Sequence, residues 1–345
     1  MDLLVTGGCG FIGSNFARFV LRERPDWRVT NLDCLTYSGN PENLADLESE
    51  PRYRFARGNI LDAGLVAGLL GECDAVVHLA AESHVDRSIT DSRPFVETNV
   101  VGTQTLLDAA CRAWKGQARG RGGRFLHVST DEVYGSLPLE PSDEKFTESS
   151  PLRPNSPYSA SKAGADLLVR AYHRTFGLDA LVTRSSNNFG PYQFPEKVLP
   201  LFVTNLIEGR KVPLYGDGRH VRDWVHVDDH CEALLAVLER GRAGEVYNIG
   251  GDNQHSNLEL THALLEILGK GPEWIEHVAD RPGHDRRYAI DAGKIAAELG
   301  WRPSRSRWPR ALVDTVRWYQ ENADWWGRVK SGEYQDCYQR QYPPR

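Results

Sequence analysis

Cysteine pairs, membrane-length apolar runs and basic tracts are all missing from this chain. Its six cysteines (Cys9, Cys34, Cys73, Cys111, Cys231 and Cys337) lie far apart with no Cys-x-x-Cys pair, so reduced thiols without a disulfide framework are expected. No apolar run approaches the roughly 20 residues that a membrane span requires. Lysine is scarce, 8 of 41 basic residues, and the basic residues are spread among 47 acidic ones for a net charge of −6. Without a basic tract to grip phosphate backbones, nucleic acid is not an expected partner. The first residues enter an apolar segment with no basic flank or cleavage site, so the expected location is cytoplasmic.

What is present suits a large α/β protein. With 345 residues, 40% of them apolar, and 13 Tyr, 11 Phe and 9 Trp, the chain can fill two lobes that share a cleft. Short apolar segments at 3–5, 28–33, 53–56, 75–79, 124–129 and 180–183 alternate with helical patterns. That alternation predicts a doubly wound parallel sheet of the Rossmann type. Long helices are expected over 96–114 and 158–176, the second with Pro157 at its first position and Asn155 or Ser156 as cap. Glycine and arginine over 116–123 read as a surface loop. From about residue 190 prolines and Gly-rich turns interrupt the pattern. The expected division is therefore a cofactor domain over 1–190 and a smaller C-terminal substrate-binding lobe over 191–345. Segments near 220–229 and 246–250 read as strands that rejoin the first domain.

Directly after the first strand come Gly7, Gly10 and Gly13, spaced Gly-x-x-Gly-x-x-Gly, with Phe11 and Ile12 opening the first helix. Gly7 and Gly10 let the backbone turn tightly beside a pyrophosphate, and Gly13 lets the helix pack closely on the sheet. Asp33 stands twenty residues beyond Gly13, at the end of the second strand. It suits the adenosine ribose hydroxyls and repels a 2′-phosphate, and no basic residue follows it before Arg52, so NAD is expected over NADP. Asn59, Ile60 and Asp62 are candidates for the adenine side. Leu79, Ala80, Ala81 and Thr98 are candidates to lie along the cofactor.

Thr130, Asp131 and Glu132 close the strand near 124–129, and Tyr158 and Lys162 follow as Tyr-x-x-x-Lys, on one helix face. A tyrosine of ordinary pKa near 10 is a poor base at neutral pH. A neighbouring ammonium and a cationic nicotinamide both favour its phenolate. Two adjacent carboxyls can serve as a general acid beside a general base, which a plain dehydrogenase does not need. The set therefore points to oxidation coupled to an elimination.

With these motifs in hand, the chain resembles the dTDP-glucose 4,6-dehydratases, a family of extended short-chain dehydrogenases/reductases. The likeness rests on residues 6–13, 79–86 (LAAESHVD), 129–135, 158–162, 184–200 (RSSNNFGPYQFPEKVLP), 215–230 (YGDGRHVRDWVHVDDH) and 281–291 (RPGHDRRYAID). The Asp131-Glu132 pair and the PYQFPEK segment are the specific parts, since epimerases of this fold lack both. The resemblance implies that Tyr158 takes the sugar O4 proton with Thr130 hydrogen-bonded to O4. Glu132 then removes the C5 proton, and a protonated Asp131 donates to the leaving C6 hydroxyl. It implies nucleotide-sugar contacts from Ser83, His84, Asn187, Glu196, Lys197, Val198, Pro213, Tyr215, Arg222, Asn257, Arg281 and His284. A dTDP-hexose is the expected partner, and a homodimer through a four-helix bundle, with Val100, Leu107, Leu168 and Val169 on its seam. A 4-epimerase, or a dehydratase of a UDP- or GDP-hexose, is the rival reading. His226 and His230 flank two aspartates without a third ligand in view, so a capped helix start is expected there and no metal. The aromatic tail (Trp318, Tyr319, Trp325, Trp326, Tyr334, Tyr338, Tyr342) is expected to pack a terminal helix on the body.

Overall fold

Segments such as Leu3-Leu4-Val5, Val76-Val77 and Phe125-Leu126 are buried throughout, so they need cover on both faces. In the computed structural model, which describes residues 1–114, 123–140 and 143–331, twelve strands are formed. They are β1 (Asp2–Thr6), β2 (Arg28–Asp33), β3 (Tyr53–Arg57), β4 (Ala75–His78), β5 (Arg124–Thr130) and β6 (Asp179–Ser185), then β7 (Asn187–Phe189), β8 (Val212–Tyr215), β9 (Val221–His226), β10 (Val246–Ile249), β11 (Gln254–Ser256) and β12 (Ile275–Val278). Seven of them make one sheet in the order β10-β6-β5-β4-β1-β2-β3, and every neighbouring pair is parallel. The order reverses between β1 and β4, and a crevice opens at the carboxyl ends there.

Strand alternation assigns the two layers. Leu3, Val5 and Val77 face the helices Phe11–Glu23 and Val227–Arg240, in one core with Phe16, Val20, Leu234 and Leu238. Leu4, Val76 and Phe125 face the helices Ala63–Glu72, Thr103–Trp114 and Pro157–Phe176, in a second core with Leu69, Leu107 and Val169. This placement corrects the expected dimer seam. Leu107 and Val169 are 0% and 1% exposed within their own chain, and Val100 and Leu168 are half-buried. A helix on a sheet spends its apolar stripe on that sheet, so only residues opposite the stripe can meet a second copy. The exposed apolar residues of these helices are Val96, Val101, Leu167 and Phe176, at 49%, 42%, 56% and 48% exposure.

The expected helix over 96–114 divides in two. Val96–Gly102 winds as a wider π-type stretch before Thr103–Trp114 continues as α-helix. Within it Asn99 exchanges hydrogen bonds with the Glu82 backbone at 2.9 and 3.0 Å and donates to Ser161 at 2.8 Å. The wider turn thus seats one side chain between two elements.

Beyond β6 a third core gathers Phe202, Trp224, Leu264, Leu312, Tyr319, Trp325 and Trp326. Of the two segments expected to rejoin the main sheet, Val246–Ile249 does so beside β6, but Val221–His226 does not. β9 pairs instead with β7 and β11 in a separate three-stranded sheet, because β10 already occupies the free edge of β6. The tail packs as expected through Tyr319, Trp325 and Trp326. Tyr334, Tyr338, Tyr342 and Cys337 lie outside the described residues, as does most of the 116–123 segment. His226 caps the Val227–Arg240 helix by accepting the Asp228 N–H at 3.2 Å, and the five described cysteines are free thiols.

The Pro157–Phe176 helix starts with Ser156 accepting the Ser159 N–H at 3.1 Å while Ser159 accepts the Ser156 N–H at 3.1 Å. It ends at Gly177, whose φ of +71° suits glycine. Ser156→Ala is expected to lower stability by about 1 kcal/mol, read as a lower urea midpoint at unchanged slope. An unaltered midpoint would show that this cap does not set the helix start.

Candidate active site

The glycine turn shapes the first half of the crevice. Gly7 sits at φ +72°, and a Cβ there would lie 2.7 Å from the Ala80 backbone. A Cβ on Gly13 would lie 2.2 Å from the Gly7 carbonyl oxygen. Only glycine lets the turn after β1 approach both β4 and the helix that follows it. At the end of β2, the Asp33 carboxylate accepts the Cys9 N–H at 2.9 Å and the Leu35 N–H at 2.8 Å. Burial pushes its pKa up and those two N–H groups pull it down.

One cavity of about 430 Å³ is lined by Gly7, Gly10, Phe11, Ile12 and Gly13 together with Asp33, Asn59, Ile60, Leu79, Ala80, Ala81, Thr98 and Lys162. This glycine cradle at a helix start, with a fixed carboxylate twenty residues on, fits a dinucleotide such as NAD. Asp62 is the exception among the expected cofactor residues. It caps the Ala63–Glu72 helix, accepting from Gly64 and Leu65 at 3.0 Å each, and is absent from the cavity wall.

β5 delivers the reacting groups to the same cavity. Thr130 ends the strand, and its hydroxyl accepts the Glu132 N–H at 3.3 Å, so the chain bends at once into the short 3-10 turn Asp131–Tyr134. Asp131 is 1% exposed, and its Oδ2 has no hydrogen-bond partner among the described residues. Burial, then Glu132, then Asp223 push the Asp131 carboxyl well above its ordinary range. Burial raises Glu132 as well, but Arg281, Arg222 and Lys197 oppose it. The two adjacent carboxyls thus sit in different fields, and the push toward the protonated form is the stronger at Asp131. Tyr158 and Lys162 come from the facing helix, one turn apart. Burial, then Glu132, drives the Tyr158 phenol up, while the Thr130 hydroxyl pulls it down. Lys162 Nζ donates to the Val128 carbonyl at 2.9 Å, and burial lowers its pKa to about 8.

All the residues expected to touch the sugar nucleotide line this cavity too, although several already hold protein partners. Glu196, 6% exposed at its side chain, lies 3.3 Å from Arg87 and 3.8 Å from His84. Lys197 Nζ donates to the Ser83 carbonyl at 2.9 Å, and Arg281 pairs with Asp86 at 3.1 Å. Arg222 donates to the Asp285 carbonyl at 3.0 Å and stacks 4.3 Å over the Tyr288 ring. Three cations therefore converge on one end of the cavity, as an anionic diphosphate requires.

His284 is braced from behind. Its Nδ1 lies 2.6 Å from Asp280, which also lies 3.2 Å from His220 Nε2, and the two rings stack at 3.7 Å. Arg286 stands 3.3 Å from the same His220 nitrogen. The trio orients His284, and its three donor atoms lie within 4.8 Å of one another. Glu82 and Asp86, inside the LAAESHVD segment, also line the cavity and were missed. Their only sequence signal was their place within that segment.

The profile of the family described as GDP-mannose 4,6 dehydratase matches residues 4–307. A dTDP-glucose 4,6-dehydratase of Actinoplanes sp. is 54% identical over 331 residues, covering 94% of this chain and 100% of the relative. The crystal structure of a double mutant of the Streptomyces venezuelae dTDP-glucose 4,6-dehydratase, with NAD bound, superposes with a TM-score of 0.90 at 56% identity, covering 96% of this chain and 100% of that one. The UDP-glucose 4-epimerase of Thermotoga maritima follows at a TM-score of 0.83 and 29% identity, covering 94% of this chain and 100% of that one. With such likeness along almost its whole length, the chain belongs to the dTDP-glucose 4,6-dehydratase family.

Proposed function

We propose that the protein is an NAD-dependent hydro-lyase that converts dTDP-glucose to dTDP-4-keto-6-deoxyglucose. The observation that carries this reading is the Asp131-Glu132 pair beside Tyr158, with Asp131 buried and Glu132 half-buried among three cations. A 4-epimerase removes and restores one hydride at C4 and has no use for an acid and a base at C5 and C6. The dTDP group is favoured over UDP or GDP by the names of the relatives at 54% and 56% identity.

NAD, which Gly7, Gly10, Gly13 and Asp33 would hold, would supply the reversible hydride chemistry that oxidises C4 and reduces C6. The protein does the proton work. Tyr158 takes the O4 proton, and Thr130 holds O4 by a hydrogen bond. The 4-ketone so formed acidifies the C5 proton, which Glu132 removes as its carboxylate. Asp131 gives its proton to the C6 hydroxyl, so that water leaves and a C5–C6 double bond remains. Glu132 returns its proton to C5 at the end. Arg222, Arg281 and Lys197 face the diphosphate, and Lys162 faces the nicotinamide ribose. We place the cofactor-binding portion within residues 1–190, with β10 returning to it. We also place the protein in the cytoplasm. The free thiols favour a reducing compartment, and no described helix is long and apolar enough to cross a membrane.

Substrate deuterated at C4 is expected to give product carrying deuterium at C6, measured by NMR. Loss of the label to solvent would remove the internal return. Asp131→Asn is expected to slow water loss about 10²–10⁴-fold while C4 oxidation keeps its rate, both followed in single turnovers. Equal slowing of the two steps would take Asp131 out of the acid's role.

We further propose a homodimer in which the outward faces of the 96–114 segment and the Pro157–Phe176 helix pair with their copies as a four-helix bundle. The exposed Val96, Val101 and Leu167 support it, since a two-fold contact covers each apolar face with its own copy. Light scattering is expected to give about twice the 38.7 kDa chain mass, and Leu167→Lys to shift it toward one chain. A fully active 38.7 kDa species would refute the dimer.

A further inference from the structure

Tyr158, Lys162 and Asp166 stand at i, i+4 and i+8 of one helix, and all three turn toward the sheet at 8%, 4% and 3% exposure. The first two line the cavity, but Asp166 lies behind them and does not. A carboxylate so deeply buried must serve charges nearby. One is Arg184 on β6, whose Nε donates to Asp166 Oδ2 at 2.8 Å. The other is the Lys162 ammonium, whose one direct hydrogen bond among the described residues is to the neutral Val128 carbonyl.

The remaining groups facing this pocket supply no second counter-charge. His127 on β5 lies 3.5 Å from Asp166 Oδ1 and is held neutral by burial and by Lys162, with its pKa near 4. His78 on β4 is held neutral by burial, His127 and Lys162. Across the cavity Glu132 and Asp131 raise the Tyr158 phenol, and Asp166 adds a smaller direct push in the same direction. Asp166 is the one charged group that draws Lys162 upward against its burial.

Asp166 is itself fixed from behind. Arg184 also donates to the Tyr134 hydroxyl at 3.0 Å, and Tyr134 donates to Asn248 on β10 at 2.7 Å. Asn248 is pinned in turn by the Glu148 carboxylate at 2.9 Å and the Phe146 carbonyl at 3.2 Å. A hydrogen-bonded line thus runs from the catalytic helix across β6 to the sheet edge.

We propose that Asp166 is a positioning residue of the reaction: it is the buried counter-charge that keeps the Lys162 ammonium charged and seated against Val128, and through it keeps Tyr158 a competent base. This rests on the roles given above to Tyr158 and Lys162. An ordinary structural ion pair between Asp166 and Arg184 is the rival. The two differ in sign as well as in size. An ammonium stripped of its carboxylate loses its proton at lower pH, so the alkaline limb of activity must move toward acid. Loss of a purely structural pair lowers stability and leaves that limb where it was.

The test is the pH dependence of C4 oxidation, a step in which Asp131 takes no part, followed in single turnovers of the NAD-loaded protein with bound NAD assayed in each preparation. Lys162→Arg, which cannot lose its charge, should abolish the alkaline limb, and a limb that persists there would fault the reading of Lys162, not that of Asp166. Asp166→Asn is expected to move the limb to lower pH by about one unit or more. KM for dTDP-glucose should stay within about twofold, because Asp166 does not reach the cavity. Asp166→Glu should restore the wild-type limb. Arg184→Met, which leaves Asp166 to Lys162 alone, should hold the limb at or above its wild-type position and serves if Asp166→Asn does not fold. An unmoved limb in Asp166→Asn, or an acid shift in Arg184→Met, overturns the proposal.

Discussion

The sheet reverses its winding between β1 and β4, and the site depends on that reversal. Helices leave the two strands toward opposite faces, so nothing covers the carboxyl ends between them and a crevice remains. Whether the crevice can hold a dinucleotide is decided by a contact of backbone on backbone. The turn after β1 touches the start of the segment after β4, where a Cβ on Gly7 would stand 2.7 Å from Ala80. A side chain there would force the two strand ends apart and displace the helix start that meets the pyrophosphate. β5 lies next to β4, so Thr130, Asp131 and Glu132 enter the crevice beside the nicotinamide end.

Burial then acts on every charged group brought in. It raises carboxyls and lowers ammonium groups, because the charged form of each loses its water. The outcome at each position follows from what opposes burial there. Glu132 has three cations against it, Asp131 has a neighbouring carboxylate that adds to it, and Lys162 has one carboxylate behind it. Asp131 and Glu132 are therefore distinguished by surroundings, although their side chains differ by one methylene. The arrangement is also fragile. Removing one partner of a buried pair typically costs about 3–5 kcal/mol, since the other is left unpaired.

The substrate half is fastened to the cofactor half by bonds between distant parts of the chain. Trp325 donates to Asn43 at 2.9 Å, Tyr319 to the Gln193 carbonyl at 2.6 Å and Lys197 to the Ser83 carbonyl at 2.9 Å. Arg281 reaches Asp86 across 195 residues of sequence. Lys197 and Arg281 are thus held by the same segment, 83–86, that lines the cofactor side of the cavity. Little side-chain ordering is left to be done when substrate arrives, which favours binding.

By itself, the sequence determined whatever depends on neighbours along the chain. The glycine turn with Asp33, the Tyr158–Lys162 spacing, the Asp131-Glu132 pair and the strand-helix alternation are local patterns, and local backbone geometry makes them legible. Only the tertiary structure decided what depends on partners far away. Periodicity shows that Leu107 and Val169 are apolar, but not that their stripe meets the chain's own sheet. It shows a strand at 221–226, but not that β10 has already taken the edge it would need. Asp62 looks like an adenine-side contact until the helix it caps is seen, and Asp166 looks like any helix aspartate until Arg184 and Lys162 stand beside it. The physical reason is the same in each case. A side chain's role is fixed by its charge and burial in three dimensions, and those are set by contacts that spacing along the chain does not encode.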